Sequence, residues 1–163
     1  MTTTLKEALE VVQSHDFAVR DSVDTKPSNI LLMTVGLPRS GKSTWSKQQS
    51  FPIVNPDSIR LALHGQPFIG LAEGFVWAIA KVMVRALFIS GHTTVILDAT
   101  NTNRKRRDEW KSKSWVRKYQ VLNTTAEECV RRAKDGGKEY LVPVIEKMDE
   151  NYEPIQEDEL DEV

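Results

Sequence analysis

The sequence predicts an α/β protein with a largely parallel central sheet. Short apolar stretches, such as 30–35 and 94–98, have the composition of strands buried on both faces. Helical patterns separate these stretches along the chain. At 163 residues the chain is long enough for one core without disulfides or metal. The order of elements therefore predicts a three-layer α/β/α sandwich built around parallel strands.

The first predicted strand, Ile30–Val35, leads directly into a phosphate-binding pattern. Residues 36–43 read GLPRSGKS and fit G-x-x-x-x-G-K-[ST], with a strand before and a helix after. The glycines let backbone N–H groups face phosphate oxygens, and the helix N-terminus adds partial positive charge. The pattern predicts a P-loop NTPase in which Lys42 reaches the β- and γ-phosphates and Ser43 ligates Mg²⁺. The residues expected to bind ATP, or another nucleoside triphosphate, are Gly36, Pro38, Arg39, Ser40, Gly41, Lys42, Ser43 and Thr44.

The next elements follow from local signals. A short second strand over 51–54 precedes Asn55 and Pro56, which open a helix as N-cap and first helical residue. A long apolar helix is predicted over 71–89, and its aromatic residues are interpreted as core. It ends at Ser90-Gly91.

The second half of the chain continues the alternation. A third strand is predicted over 94–98, a helix with a basic outer face over 103–114, and a fourth strand over 115–122. Capping-box spacing starts a helix at Thr125, and a last helix is predicted from Pro143 to about Tyr152.

Three segments are expected. Residues 1–29 form an amphipathic helix and a polar linker, 30–152 form the P-loop kinase domain, and the acidic residues 153–163 form a disordered tail.

Composition limits the function classes. A net charge of −1 argues against a protein that coats nucleic acid by charge alone, although basic residues from Arg104 to Lys118 predict a local basic face. No apolar run approaches the ~20 residues that cross a bilayer, and no secretory signal is visible. The single Cys129 excludes an internal disulfide and is expected to be a small buried residue. These features predict a cytoplasmic protein without membrane contact.

Two aspartates and one basic segment complete the predicted chemistry. Asp57 and Asp98 follow the second and third strands, at the sheet edge where α/β proteins bind ligands. Asp98 is expected to order Mg²⁺; for both acids the alternative is a role in helix capping or at a helix dipole. Residues 131–138 place arginines before Gly136-Gly137, which suits a lid over the phosphates. The alternative is an ordinary charged helix end.

Four stretches between Ile30 and about Tyr152 form a more specific pattern. They are Gly36–Trp45, Asn55–Arg60 (NPDSIR), Asp98–Asn103 (DATNTN) with Arg106, Arg107 and Trp110, and Val130–Arg132 through Pro143. The first is general to P-loop proteins, whereas the second and third are much more restrictive. Together they resemble the kinase domain of phage-type polynucleotide 5′-hydroxyl kinases.

The resemblance implies roles for individual residues. Asp57 would be the general base for the 5′-hydroxyl, and Arg60 would hold the adjoining nucleotide's 3′-phosphate. Asp98 and Asn101 would line the acceptor side, and lid arginines would touch the ATP phosphates. The position of the family's lid arginine falls near Gly136, so a basic neighbour has to replace it. The candidates are Arg131, Arg132 and Lys134, with Arg132 assigned the catalytic role and Arg131 a nucleotide contact.

The leading functional prediction is therefore an ATP- and Mg²⁺-dependent kinase for 5′-hydroxyl ends of DNA or RNA in end healing. The resemblance to phage-type enzymes is in keeping with a phage protein in the host cytoplasm. The chain lacks the Asp-x-Asp-x-Thr pattern of the phosphatase domain that is fused to the kinase in some of these enzymes. Two alternatives stay open. One is a P-loop kinase acting on a small-molecule alcohol or a hydroxymethylated base in DNA. The other is a non-catalytic nucleotide-binding module.

Overall fold

The structure, a computed structural model, describes residues 28–162. The amphipathic helix predicted within residues 1–29 lies outside them. The strands in this part of the chain form one parallel sheet in the order β2–β3–β1–β4, which confirms the predicted fold class. The strands are β1 Ile30–Val35, β2 Ile53–Val54, β3 Thr94–Leu97 and β4 Val116–Val121. Because β1 is central, the phosphate loop leaves the middle of the sheet at its carboxyl edge.

The helices occupy the connections between these strands and continue after β4. Within residues 28–162 they are α1 Lys42–Gln48, α2 Pro56–His64, α3 Glu73–Ile89, α4 Arg104–Asp108, α5 Ala126–Asp135 and α6 Val142–Glu150. Short 3₁₀ turns cover Gly70–Ala72, Glu139–Leu141 and Glu157–Glu159. None of the helices in the described range has the length and apolar composition needed to span a membrane.

Side-chain N-caps explain where three helices begin, and those at Asn55 and Thr125 were predicted from the sequence. The Asn55 side chain accepts a hydrogen bond from the Ser58 N–H, with Pro56 as first helical residue. Asn103 and Thr125 cap α4 and α5 in the same way. The prediction for α4 was wrong in length, because the helix ends at Asp108 rather than near 114.

Two apolar clusters hold the layers together. The larger joins the sheet to α2 and α3 through fully buried residues such as Leu31, Val76 and Leu97. The smaller joins the phosphate loop to α5 and α6 through Leu37, Cys129 and other buried residues. Cys129 is therefore a small buried residue, as predicted, and burial raises the pKa of its thiol.

Residues 153–163 were predicted to be disordered, but the described part of this segment, up to residue 162, packs against the domain. Residues 157–159 form a 3₁₀ turn, and the Glu159 side chain is fully buried. Its carboxylate accepts two hydrogen bonds from the fully buried Arg107 guanidinium, at 2.7 and 2.9 Å. The Asp161 carboxylate pairs in the same way with Arg117.

The predicted basic face between Arg104 and Lys118 is consequently smaller than expected. Arg107 and Arg117 point into the protein, and Arg104 forms an exposed ion pair with Asp158. Each of these three cations is matched by a carboxylate from the acidic segment. Opposite charges that are distant in sequence therefore neutralise each other inside one fold.

Candidate active site

The phosphate loop connects β1 to α1 and is held from several sides. Gly41 has φ 101°, a conformation that L side chains rarely adopt. A Cβ atom at Gly36 would lie 2.7 Å from the Ser40 Oγ and 3.1 Å from the Leu122 carbonyl oxygen, so a side chain there would force its neighbours to shift. The Thr124 hydroxyl, which follows β4, donates to the Ser40 carbonyl at 2.8 Å.

Lys42 is the first residue of α1, and its side chain lies under the loop. It is 8% exposed, and its ammonium donates to the Leu37 carbonyl at 2.6 Å. Burial lowers the pKa of Lys42 to about 8, although the negative charges of Asp98 and Asp57 act in the opposite direction. The two aspartates are thus close enough to the loop lysine for their charges to act on it.

Ser43 and Asp98 are in direct contact. The Ser43 hydroxyl donates to the Asp98 carboxylate at 2.7 Å, and the Asn55 amide donates to the same carboxylate oxygen at 3.0 Å. Hydroxyl and carboxylate oxygens are the hard donors that Mg²⁺ prefers, and Mg²⁺ commonly combines one or two carboxylates with substrate phosphates. This donor set fits the magnesium site predicted from the sequence.

Asp57 and Arg60 share the exposed end of α2. The Asp57 side chain is 80% exposed and accepts a hydrogen bond from Arg60 Nη1 at 2.6 Å. Arg60 is mostly buried and also donates through Nε and Nη2 to both oxygens of Glu73, at 2.7 and 2.8 Å. The pairing with Arg60 lowers the pKa of Glu73. A bidentate pair fixes the plane of the guanidinium, so Arg60 is oriented before any ligand binds.

Of the lid candidates, Arg132 is the one held against the phosphate loop. Its Nη1 donates to the Arg39 carbonyl at 3.2 Å and lies 3.9 Å from the Cβ position at Gly41. Its Nε is held by Glu128. Arg131 is 61% exposed and is paired with Glu128 and Asp135, so the structure does not bring it to the loop.

Arg39 and Gly136 are in close contact between the loop and the lid segment. Arg39, at φ 67°, sends Nη2 toward the Arg132 carbonyl, and a side chain at Gly136 would meet that nitrogen at 2.9 Å. In the remainder of the loop, Pro38 is half-buried and Thr44 is exposed in the first turn of α1.

Asn101 is not on the open acceptor side. It is 1% exposed, and its amide donates to the Thr34 carbonyl at 2.9 Å. Arg107 Nη1 donates to the backbone carbonyl of Asn101 at 3.0 Å. Asn101 therefore fixes the loop after β3 and does not face an acceptor in this arrangement.

A cavity of about 580 Å³ opens beside Ser43 and Asp98. It lies between α1, α2 and α3, and part of its wall is apolar, with Ile59, Ile79 and Met83 among its residues. Asp57 is not part of this wall. The site therefore has an open carboxylate–arginine edge and a separate partly apolar hollow.

Comparison with known families identifies the domain. A family model described as an AAA domain matches residues 31–155, which include the loop, both aspartates and the lid segment. The chain belongs to this family. It is a P-loop kinase-like domain, so the resemblance stated from its motifs is confirmed at that level.

Two solved structures that are similar to this chain come from Pnkp1/Rnl/Hen1 complexes. A chain of a Pnkp1/Rnl/Hen1 complex is 27% identical with a TM-score of 0.58, over 69% of this chain and 41% of that one. A chain of a Pnkp1/Rnl/Hen1 RNA repair complex is 19% identical with a TM-score of 0.59, over 83% of this chain and 49% of that one. The present chain thus spans less than half the length of either relative.

Three residues at the site were not singled out from the sequence. Asn55 was recognised only as an N-cap, yet it also donates to Asp98. Glu73 and Thr124 hold Arg60 and the phosphate loop. No local motif marks Glu73 or Thr124, since both act on residues distant in sequence. For Asn55, its position at the carboxyl end of a strand was the available signal.

The lowered pKa of Lys42 predicts a pH dependence of nucleotide binding. A bound triphosphate favours the charged ammonium, so it raises the pKa of Lys42 above its value of about 8 in the nucleotide-free protein. Below pH 7 Lys42 is already protonated without nucleotide, so the affinity for nucleotide should not change with the protonation of this lysine. Above pH 8 it should fall by up to about tenfold per pH unit, because binding must then take up a proton. Calorimetry from pH 6.5 to 9.5 measures this effect. Lys42→Arg, whose charge does not titrate in this range, is expected to remove the decline; an equal decline in that variant would contradict the assignment.

Proposed function

We propose that this chain transfers the γ-phosphoryl group of ATP to a 5′-hydroxyl end of DNA or RNA. The observation that carries the proposal is the pairing of Asp57 with Arg60 at the sheet edge that also holds Lys42. Phosphoryl transfer needs a positioned hydroxyl, charge neutralisation and a group that accepts the proton. This edge supplies an exposed carboxylate beside an oriented guanidinium.

In the proposed reaction the acceptor hydroxyl oxygen forms a bond to the γ-phosphorus while the bond from that phosphorus to the β,γ-bridging oxygen breaks. The Asp57 carboxylate takes the hydroxyl proton, and ADP leaves. Arg60 holds the phosphate on the 3′ side of the terminal nucleotide. Lys42 and Arg132 offset negative charge on the transferring group and on the β-phosphate.

A magnesium ion would be held by Ser43 and Asp98 together with phosphate oxygens. It would supply charge neutralisation at the β- and γ-phosphates. Asn55 would keep the Asp98 carboxylate turned toward Ser43, since both donate to the same oxygen. A similar fold occurs in a chain of a complex that is described as an RNA repair complex, and a nucleic acid acceptor is in keeping with that description.

The cavity beside Ser43 and Asp98 supports a second candidate, a kinase for a small-molecule alcohol. Its volume of about 580 Å³ is within the range of small-ligand pockets, and its wall is partly apolar. An acceptor in this hollow would lie away from Arg60, so the two candidates differ in their dependence on that residue.

Transfer of labelled γ-phosphate from ATP to a panel of acceptors tests the proposal. The panel contains 5′-hydroxyl DNA and RNA oligonucleotides, nucleoside 3′-phosphates, hydroxymethylated duplex DNA and small alcohols. Oligonucleotides and nucleoside 3′-phosphates are expected to be the best acceptors. Arg60→Ala should raise their KM by at least about tenfold, because a charged hydrogen bond to phosphate is lost, and leave the affinity for ATP unchanged.

Nucleosides that lack the 3′-phosphate provide the matched control for Arg60→Ala. Their KM should change little in the variant. An equal change for acceptors with and without that phosphate would argue against a polynucleotide acceptor, as would preferred transfer to small alcohols.

A further inference from the structure

Three cations lie against two indole rings beside the proposed acceptor edge. We call this group the cation–indole strip, and it consists of Arg60, Trp77, Lys81, Arg106 and Trp110. The first four side chains are partly exposed, whereas Trp110 is buried. Arg60 comes from α2, Trp77 and Lys81 from α3, and Arg106 from α4. The strip therefore joins elements from three separate stretches of the chain.

Ring contacts hold the strip together. The Arg106 guanidinium carbon lies 4.2 Å from the centroid of the Trp77 ring, and that of Arg60 lies 5.8 Å from the same centroid. Trp77 meets the buried Trp110 edge to face at 6.4 Å, and the Lys81 ammonium lies 5.9 Å from the Trp110 centroid. Cations placed over indole faces are held in position while their outward N–H groups stay available.

Carboxylates pair with two of these three cations. Asp57 and Glu73 both accept from Arg60, and Glu109 accepts from Arg106 Nη1 at 2.6 Å. The Lys81 ammonium is influenced by Glu109, but burial and the nearby charges of Arg85 and Arg106 lower its pKa. Burial is the main cause, and an approaching anion stabilises the charged form of such a partly buried lysine.

The direction of the strip is set by α3. Glu73, Trp77, Lys81 and Arg85 follow one another at intervals of four residues along one side of this helix. At 1.5 Å per residue, the distance from Glu73 to Arg85 is about 18 Å. The strip thus begins at Arg60, the proposed phosphate contact of the terminal nucleotide, and leads away from the phosphate loop.

We propose that the cation–indole strip binds backbone phosphates of a single-stranded polynucleotide beyond its 5′-terminal nucleotide, with Lys81 and Arg106 as the contacts. This inference rests on the proposed function. A strand whose first internal phosphate lies at Arg60 meets Arg106 and Lys81 next along the surface. Such contacts would favour long acceptors over short ones and would be weakened by salt.

The test compares two double variants that each remove two positive charges. Lys81→Ala with Arg106→Gln removes the strip contacts, whereas Lys105→Ala with Lys118→Ala removes two exposed lysines elsewhere. Lys105 serves as a control on the same short helix as Arg106, because it lines a different hollow with Arg104 and Glu153. Lys81→Ala alone is a further variant, since alanine favours the helix.

Binding is measured by fluorescence anisotropy with a labelled ten-nucleotide single strand, as DNA and as RNA, over a range of salt concentrations. The strip variant is expected to bind at least about tenfold more weakly at low salt. Its plot of log K against log salt should be flatter by about 1.4, which corresponds to two lost contacts at about 0.7 each. Lys81→Ala alone should give about half of that change in slope, and the control should match the wild type.

Kinetics separate this proposal from the proposed function. The strip variant should raise the KM of the ten-nucleotide acceptor and leave the KM of a nucleoside 3′-phosphate unchanged. If the strip variant binds the single strand with wild-type affinity and salt dependence, Lys81 and Arg106 do not bind its phosphates and the proposal fails. The same conclusion follows if the control variant loses as much affinity as the strip variant. If the wild type transfers no phosphate to any oligonucleotide but binding still depends on Lys81 and Arg106, the proposed function fails and the polynucleotide-binding surface stands.

Discussion

Asp57→Asn is expected to lower turnover by about 10²–10⁴-fold while leaving nucleotide affinity unchanged. An amide cannot accept the proton that the attacking hydroxyl loses, and a general base typically contributes a factor of this size. Because the Asp57 side chain is 80% exposed, the variant should fold with nearly the stability of the wild type. Single-turnover transfer from labelled ATP measures the effect, and a separate titration with ADP measures binding.

Glu127→Gln is a matched control for Asp57→Asn. Glu127 is likewise an exposed acid at the second position of its helix, here α5, so both variants remove one first-turn carboxylate. The helix dipole accounts for at most about 1 kcal/mol at such exposed positions, and the control should keep wild-type turnover. Near-wild-type turnover in Asp57→Asn would mean that Asp57 is not the general base and contributes only a favourable charge at the start of α2.

Glu159→Gln is expected to destabilise the protein by about 3–5 kcal/mol. Both side chains of the Arg107–Glu159 pair are fully buried, so the substitution leaves the guanidinium charge without a counter-charge. Urea unfolding followed by tryptophan fluorescence reports this loss, because Trp110 and Trp115 belong to the core near α4. The midpoint should fall with little change in the slope.

Asp158→Asn is the control from the same segment. It also removes one carboxylate paired with an arginine, Arg104, but both side chains are substantially exposed. Solvent screens an exposed pair strongly, so the midpoint should move little. Similar losses in the two variants would mean that burial does not set the strength of the Arg107–Glu159 pair.

The Glu159 pair also predicts a dependence on acid. Arg107 holds the pKa of Glu159 below its ordinary value of 4.5, so the pair contributes its full stability above that pH. The contribution is lost as the pH falls through the lower, folded-state pKa. The difference in stability between the wild type and Glu159→Gln should therefore shrink at acid pH.

Much of the nucleotide-binding site could be predicted because the sequence patterns that mark it are local. The glycine spacing, the lysine and the preceding strand are all contained within residues 30–43, and their physical requirements act over the same few residues. Asp98 was placed correctly beside Ser43 because parallel strands end at one edge of the sheet. Asn55 was predicted as an N-cap because an asparagine side chain can accept a hydrogen bond from a backbone N–H in the first turn of a helix, and Pro56 marks the start of that helix.

The parts that could not be predicted depend on contacts between distant residues. An acidic stretch such as 153–163 has the composition of a disordered tail, and its order depends on distant partners such as the buried arginines 52 and 44 positions earlier. Arg131 and Arg132 are adjacent in sequence, yet about 100° of helix rotation separates the one facing solvent from the one at the loop. The burial of Asn101 likewise follows from its place under β1, which its motif does not reveal.

The Arg107–Glu159 pair has a consequence for the biosynthesis of the domain. Ribosomes make the amino-terminal parts first, so the phosphate loop, both aspartates and the arginines of α5 emerge before Glu159. Until then Arg107, which also donates to the Asn101 carbonyl, lacks its buried carboxylate partner. The loop after β3 therefore reaches its final support only when residue 159 has left the exit tunnel. A nascent chain arrested before that residue is expected to remain open to proteases and chaperones, even though every proposed catalytic group has already been synthesised.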